Sequence, residues 1–246
     1  MVRNKKIVVI GAGSLQFGLG TVGSIFNSDV LKGSTVILHD INEDALKTVN
    51  RGCQQAIKKN NFDFDLDYTL DRKSALKDAD YVINSIEVGP RFKYWDQDQK
   101  VTRKYFPKQL FGENGGPGGF FHALRIVPPI LDICEDITKI CPSAFFVNYS
   151  NPMSRICLAI KRKFPDLRFV GLCHEIYFAE VILPLLMRTK LSNILIKAGG
   201  LNHFGVVLEA KYKDTGEDGY PAIRKRWKWI YNLIRWPLDY DLTNYI

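Results

Sequence analysis

Short apolar runs alternate along this chain with longer stretches in which apolar residues recur at helical spacing. Residues 5–10 form a β-branched run that stops at Gly11, a pattern typical of a strand buried on both faces of a parallel sheet. Similar runs predict strands at residues 34–40, 80–86, 144–149 and 169–173, and an alternation of apolar and polar residues predicts a half-buried strand at 62–70. Helices are predicted between them at residues 43–60, 74–79, 119–141, 152–163 and 176–188.

Strands that alternate with helices over short links predict an α/β fold, a doubly wound parallel sheet of the Rossmann, lactate/malate dehydrogenase-like type. We expect this domain to cover residues 1–190, and the pattern weakens beyond it. Residues 191–246 are predicted to hold two strands, 195–198 and 204–212, and a helix at 222–235. That is the start of an incomplete second α+β domain, since so short a segment buries little core.

Two stretches of the first domain depart from the regular pattern. The polar, glycine-rich residues 88–119 predict a long loop, and loops of that length usually carry function. Pro128 and Pro129 fall inside the helix predicted at 119–141. Proline removes a backbone donor, so the helix is predicted to kink or break there.

Composition narrows the class of protein. No apolar run reaches the roughly 18 residues of a membrane span, and the N-terminus leads straight into a strand, so we expect a cytoplasmic protein without a membrane partner. Five cysteines without C-x-x-C spacing favour reduced thiols over disulfides. The net charge of +8 fits either a nucleic acid, an anionic small molecule or a solvated basic surface. The last is favoured, because the basic clusters lack interleaved aromatic residues.

The run GAGSLQFG after the first strand is an imperfect dinucleotide fingerprint. Gly11 permits the tight turn and Gly13 lets the backbone approach a pyrophosphate, while Gln16 replaces the third glycine. Asp40 ends the next strand, where an acid binds the ribose hydroxyls and disfavours a 2′-phosphate, so NAD is predicted over NADP. Ser14 and Phe17 of the same loop are further cofactor candidates. The alternative is a glycine turn that binds no nucleotide.

Polar side chains also follow the later strands. Asn148 and Asn151 come at one strand end, Cys173 and His174 at the next, and His203 follows a separate strand. Thiolate and imidazole are both metal ligands, and two protein ligands leave positions for substrate oxygens. A thiolate by itself favours zinc or iron over manganese. Taken one by one, a lone cysteine or histidine is more often a packing residue.

Several motifs in order resemble glycoside hydrolase family 4, on its α-galactosidase, α-glucosidase and α-galacturonidase side. They are GAGS, GPGG, ICEDITKICPSAFFVNYSNPM, VGLCHE and AGGLNH, within roughly residues 5–212. The resemblance implies NAD and Mn²⁺ as cofactors and a departure from the two-carboxylate scheme of most glycosidases. It implies that hydride from C3 of the sugar passes to NAD⁺, a base removes the C2 proton, the C1 substituent leaves, water adds, and the hydride returns.

The resemblance also implies roles by position. Cys173 and His203 are the expected metal ligands, and Asn151 the expected substrate contact, with Asn148 a second candidate. His174 is expected to act as the acid that assists the leaving group, which imidazole chemistry suits. Glu113 is expected to reach the cofactor or the sugar.

This chain departs from the family in two ways. Glu175 follows the Cys-His pair where members often have a small residue, and members are nearly twice as long. We therefore expect a C-terminally truncated form that lacks the tyrosine base, while the full-length form is a homo-oligomer. The alternatives are a lactate/malate-type dehydrogenase with net hydride transfer, and an inactive nucleotide-binding remnant. The substrate is an α-galactoside, an α-glucoside or an α-galacturonide, and the positive charge suits the last.

Overall fold

The computed structural model describes residues 4–14, 18–105, 116–173 and 175–238, which fall into two compact units, Met1–Leu172 and Cys173–Ile246. The first unit contains a six-stranded sheet whose pairs are all parallel, in the order β3-β2-β1-β4-β5-β6. Its strands are β1 (Lys6–Ile10), β2 (Ser34–His39), β3 (Phe64–Thr69), β4 (Tyr81–Asn84), β5 (Phe145–Asn148) and β6 (Phe169–Gly171). Its helices are α1 (Gly18–Phe26), α2 (Glu43–Asn60), α3 (Arg72–Leu76), α4 (Arg91–Tyr105), α5 (Gly116–Ile140) and α6 (Met153–Lys163).

This strand order confirms the predicted doubly wound sheet, because the winding direction reverses between β1 and β4. Alternate residues of β1 enter different cores on the two faces of the sheet. Val8 and Ile10 pack into one core, and Ile7 and Val9 pack into the other. All four are at most 2% exposed, which explains the unbroken apolar run in the sequence.

Register places the carboxyl ends of the central strands at one level. Ile10 of β1 pairs with His39 of β2 on one side and with Asn84 of β4 on the other. Asn84 in turn pairs with Asn148 of β5. The loops that follow these strands therefore emerge together at one edge of the sheet.

The stretch predicted as a long loop contains a helix, α4, so that prediction was wrong. Within its residues 91–105, Thr102 is the one buried position, which leaves almost no apolar stripe to read from the sequence. The helix is held instead by polar contacts with α5. Arg125 donates two hydrogen bonds to the Asp98 carboxylate, at 3.1 and 2.5 Å.

Helix α5 continues through Pro128 and Pro129, so the predicted break is absent. The two prolines remove two backbone donors from the helix. Against this loss, α5 buries a stripe that includes Ile126, Ile130 and Ile133, each at most 2% exposed. Each such side chain contributes about 1.5–3 kcal/mol when buried, which favours a continuous helix across the two prolines.

The second unit consists of α7 (Glu175–Met187), a 3₁₀ turn (Leu191–Asn193), β7 (Ile194–Leu201), β8 (Phe204–Tyr212) and α8 (Tyr220–Leu238). Strands β7 and β8 form an antiparallel hairpin. The unit begins at residue 173, before the boundary predicted at 190, because α7 shares a core with the hairpin. Leu183, Leu186 and Met187 of α7 are buried there with Ile194 and Ala210. In the described ranges, no helix combines the length and the apolar character that crossing a membrane requires.

The role of the α5 stripe is testable by truncating one side chain. Ile130→Ala is expected to lower the free energy of unfolding by about 2–5 kcal/mol, because it leaves a cavity at a position that is 0% exposed. Leu124→Ala on the same helix is the control, since Leu124 is 57% exposed and its loss costs about 0.5 kcal/mol or less. Urea-induced unfolding measures both, and equal losses would contradict the packing described here.

Candidate functional site

A cavity of about 570 Å³ lies at the carboxyl edge of the parallel sheet. Ligands of doubly wound proteins bind at this edge, where the winding reverses. Loops that follow β1, β2 and β4 supply most of its wall. The polar and glycine residues among its lining include Gly11, Gly13, Ser14, Asp40, Asn42, Ser85 and Glu87.

Two glycines bring the backbone close to this cavity. Gly11 has a φ of +83°, a left-handed conformation that side chains disfavour, and its N–H donates to the His39 carbonyl at 2.9 Å. A Cβ at Gly11 would lie 2.9 Å from the Ile86 nitrogen, and a Cβ at Gly13 would lie 2.8 Å from Asp40 Oδ2. No side chain fits at either position, so the loop presents bare backbone, as a phosphate cradle requires.

Gly18, which the sequence interpretation passed over, makes the third close approach. Its N–H donates to the Ser14 carbonyl at 2.8 Å as α1 begins, and a Cβ there would lie 2.2 Å from the Ala12 carbonyl oxygen. The third fingerprint glycine serves this close packing of helix against strand. The sequence does contain the signal, but two residues later than the standard spacing. Gln16 and Phe17 lie outside the described residues.

Asp40 ties the loop after β1 to the loop after β2. Its Oδ2 accepts from the Gly13 N–H at 2.8 Å, and its Oδ1 accepts from the Asn42 N–H at 2.9 Å. Each carboxylate oxygen can accept more than one hydrogen bond, so both keep capacity for a ligand hydroxyl. Asn42 also caps α2 by accepting from the Ala45 N–H at 3.1 Å.

Asn148, predicted to bind substrate, is 0% exposed and lies within a buried amide network. Asn84 Nδ2 donates to Asn148 Oδ1 at 2.8 Å and to Ser150 Oγ at 3.0 Å. Asn148 Nδ2 donates to the Ser150 carbonyl at 2.9 Å. Both polar ends of Asn148 thus bond within the protein, in a network that joins the ends of β4 and β5.

Asn151, the other predicted substrate residue, is half-buried after β5. Its Oδ1 accepts from the Met153 N–H at 3.3 Å as α6 begins, and its peptide bond to Pro152 is cis. Among the described residues, nothing accepts a hydrogen bond from its Nδ2 group. That amide is therefore available to donate to a hydroxyl oxygen.

Glu87 is a carboxylate of the cavity wall that the sequence interpretation missed. Its Oε1 accepts from the Val88 N–H at 2.9 Å and from His122 Nε2 at 3.1 Å, and its Oε2 lies 3.7 Å from Arg91 Nε. Burial acts to raise the pKa of Glu87, but the hydrogen bonds from His122 and Val88 and the electrostatic interactions with His122 and Arg91 outweigh it. The pKa therefore lies below its usual value.

The predicted metal ligands meet within the second unit. Cys173 Sγ lies 3.3 Å from His203 Nε2, and His203 occupies the turn between β7 and β8 with a φ of +60°. Sulfur and nitrogen ligands bind at about 2.3 and 2.1 Å from a zinc-like ion, so two of them are about 3.1 Å apart at a right angle and about 3.6 Å apart at the tetrahedral angle. The pair thus has the separation of two ligands that share one ion.

No further protein ligand joins this pair in the part of the chain that the structure describes, where no group of three or more His, Cys, Asp or Glu residues is found. The remaining positions on an ion would go to water or to substrate oxygens, as in catalytic metal sites. His174 and Glu113, predicted to act as the acid and as a cofactor or sugar contact, both lie outside the described residues.

The family model for family 4 glycosyl hydrolases matches residues 6–187, which is most of the chain. The chain belongs to glycosyl hydrolase family 4. This match confirms the resemblance drawn from the ordered motifs, and its span includes the glycine loop, Asp40, Asn151 and Cys173. His203 lies beyond the matched span.

Individual comparisons agree with this family membership. The alpha-glucosidase of Erwinia rhapontici is 53% identical over 221 residues, which cover 90% of this chain and 49% of that protein. The crystal structure of the 6-phospho-beta glucosidase from Thermotoga maritima with manganese, NAD⁺ and glucose-6-phosphate matches with a TM-score of 0.77 at 25% identity, covering 94% of this chain and 57% of that one. The chain spans about half the length of the curated relatives it matches.

A likeness to malate dehydrogenase concerns the fold alone. The enzyme from Salinibacter ruber matches with a TM-score of 0.62 at 16% identity and covers 96% of this chain and 70% of its own. It confirms the predicted dehydrogenase-like sheet, and at that identity it carries no argument about activity.

The packing role of Gly18 is testable with a glycine of the same helix as control. Gly18→Ala is expected to lower the free energy of unfolding by about 1–3 kcal/mol, because its methyl group would collide with the Ala12 carbonyl. Gly20→Ala meets nothing within 4 Å and is expected to stabilise the protein by about 0.5–1 kcal/mol. Denaturant midpoints of the two variants check this, and an unchanged midpoint in Gly18→Ala would show that the close approach is absent.

The Cys173–His203 pair predicts a metal site with a thiolate ligand. Added Co²⁺ is expected to produce a sulfur-to-cobalt charge-transfer absorption that Cys173→Ser abolishes. Cys157→Ser, at a half-buried thiol on α6, is the control and should retain the absorption. An absorption that persists in Cys173→Ser would place the metal elsewhere.

Proposed function

We propose that this family 4 chain carries the cofactor, metal and substrate groups of a glycosidase that uses NAD and Mn²⁺ to cleave O-glycosidic bonds. One observation carries the proposal above the others: a glycine loop that admits no side chain and an adjoining carboxylate line one cavity in a member of this family. The Thermotoga maritima structure supports it, since that protein was crystallised with manganese, NAD⁺ and glucose-6-phosphate.

The cavity residues fit a dinucleotide. Gly11 and Gly13 would let the pyrophosphate approach the backbone at the start of α1. Ser14 and Phe17 are proposed as further cofactor contacts. Asp40 would accept hydrogen bonds from the ribose hydroxyls and repel a 2′-phosphate, which favours NAD over NADP. When bound, NAD supplies a reversible acceptor for the hydride of a sugar carbon. Glu113 is proposed as a further contact to the cofactor or the sugar.

The donor set of Cys173 and His203 fits a divalent ion with open positions. In this role the thiolate and the imidazole hold the ion and leave room for two neighbouring sugar oxygens. When bound, the ion supplies the positive charge that stabilises negative charge on those oxygens. Manganese is proposed because of the family, although a thiolate ligand alone would favour zinc or iron.

The remaining proposed roles belong to groups that position the sugar and move protons. Asn151 would donate a hydrogen bond from its Nδ2 group to a sugar hydroxyl. Asn148 would support the nearby ends of β4 and β5 through its hydrogen bonds with Asn84 and Ser150. His174 would donate a proton to the departing oxygen, since imidazole titrates near neutral pH. We assign no residue of this chain as the base at C2, and we propose a homo-oligomer for the full-length enzyme.

Among the substrate classes, the 53% identity with an alpha-glucosidase favours an α-glucoside over an α-galactoside or an α-galacturonide. The dehydrogenase alternative is not favoured, because its support is a likeness of fold at 16% identity. The other alternative is an inactive nucleotide-binding remnant, and activity measurements distinguish it from an enzyme.

The proposed chemistry predicts that hydrolysis depends on NAD⁺, a cofactor that ordinary glycosidases do not need. With p-nitrophenyl α-glucoside, Mn²⁺ and reductant, release of nitrophenol is expected only when NAD⁺ is added, and the sugar formed in D₂O is expected to carry deuterium at C2. Deuterium enters there because the C2 proton is removed and replaced from solvent. Colorimetry and mass spectrometry measure the two outcomes.

Asp40→Asn provides the matched variant, since it keeps the shape of the side chain but removes its charge. It is expected to raise the NAD⁺ concentration needed for half-maximal rate about 10-fold or more, the effect of losing a charged hydrogen-bond acceptor. Hydrolysis without NAD⁺ would contradict the proposal. NAD⁺ binding without any hydrolysis would instead favour the inactive remnant.

A further inference from the structure

Glu87 lies where the second half of a dinucleotide would run. It follows β4, and it lines the same cavity as Gly13 and Asp40. It also lines a smaller cavity between α4 and α5, together with His122 and Arg125. None of the roles proposed above uses this carboxylate.

The direction of a bound dinucleotide follows from the strand order. The glycine loop after β1 receives the pyrophosphate, and Asp40 after β2 receives the adenosine ribose. Strand β4 lies on the opposite side of β1 from β2. The nicotinamide half must therefore extend over the carboxyl end of β4, towards Glu87.

Glu87 is held as an anion by its surroundings. It accepts the Val88 N–H at 2.9 Å and His122 Nε2 at 3.1 Å, and both hydrogen bonds favour the ionised carboxyl group. Its lowered pKa agrees with this geometry. At neutral pH Glu87 consequently places a negative charge at this wall of the cavity.

His122 fixes the position of the Glu87 carboxylate through the hydrogen bond from its Nε2 atom. Its side chain is 9% exposed, and its Nδ1 atom is buried without a hydrogen-bond partner among the described residues. Arg91, at 3.7 Å and 31% exposed, offsets the charge only in part, because solvent screens it.

The nicotinamide ring changes its charge during hydride transfer. In NAD⁺ the ring is a cation, and gain of a hydride, one proton with two electrons, leaves the ring of NADH neutral. A fixed carboxylate nearby stabilises the cation and has no such effect on the neutral ring.

We propose that Glu87 sets the relative affinity of this cavity for the two cofactor forms, favouring NAD⁺ over NADH. The proposal rests on the dinucleotide site of the proposed function and deepens it. The proposed reaction transfers a hydride to the cofactor and later returns it to the sugar. Favouring NAD⁺ keeps the cofactor ready to begin a cycle and promotes return of the hydride at its end.

The test compares dissociation constants for NAD⁺ and NADH by isothermal titration calorimetry in the full chain. Glu87→Gln keeps one oxygen that can accept from Val88 and His122 but removes the charge, and it is expected to raise the Kd for NAD⁺ relative to NADH by about fivefold. Glu87→Asp keeps the charge and should leave the ratio within about twofold of the wild type, even if both constants rise.

Glu135→Gln is the matched control, since Glu135 pairs with Lys139 on the exposed part of α5 and lines neither cavity. It should leave the ratio unchanged. Because the ratio is measured within each variant, a general loss of stability affects both constants and cancels.

A ratio in Glu87→Gln equal to that of the wild type would overturn this inference while leaving the dinucleotide site intact. A ratio that shifts as much in Glu87→Asp as in Glu87→Gln would also overturn it, because the change would then reflect position rather than charge. If the wild type bound neither form, the proposed dinucleotide site would fail, and this inference with it.

Discussion

The close approach of backbone to backbone at the carboxyl ends of β1, β2 and β4 is the constraint on which the cavity depends. Gly11 and Gly13 have no room for a Cβ, and Gly18 has none where α1 starts. Asp40 then joins the first two loops through the Gly13 N–H. Larger side chains would separate these loops, and the cavity between them would lose its shape.

Polar side chains around this edge differ in how much of their hydrogen-bonding capacity the protein itself uses. That difference distinguishes residues that support the structure from residues that can bind a ligand. Asn148 has both ends of its amide hydrogen-bonded and is fully buried, so it stiffens the sheet edge. Asn151 and Asp40 keep hydrogen-bonding capacity that the protein does not use. Glu87 combines the two properties. His122 and Val88 fix its position by hydrogen bonds, and its charged carboxylate still lines the cavity.

The same logic applies in the second unit, where a hairpin turn brings His203 to Cys173. At 3.3 Å the thiol and the imidazole are within hydrogen-bonding distance, and they also have the spacing that two ligands of one ion would need. The proposal that this pair binds manganese depends on family membership, because a thiol and an imidazole alone do not select one metal ion. Membership itself rests on a match across residues 6–187 and not on this pair.

Features that depend on near neighbours along the chain could be predicted from the residues alone. Apolar runs located the strands of the sheet, and glycines directly after β1 with an acid directly after β2 located one end of the cavity, because such signals lie within a few residues of each other. Tertiary structure decided what distant segments do together. It made Gly18 the third close contact, formed α4 through its ion pair with Arg125, and brought His122 to Glu87. Such pairings are set by strand register and helix packing, and residues 35 apart in sequence give no local sign that they meet.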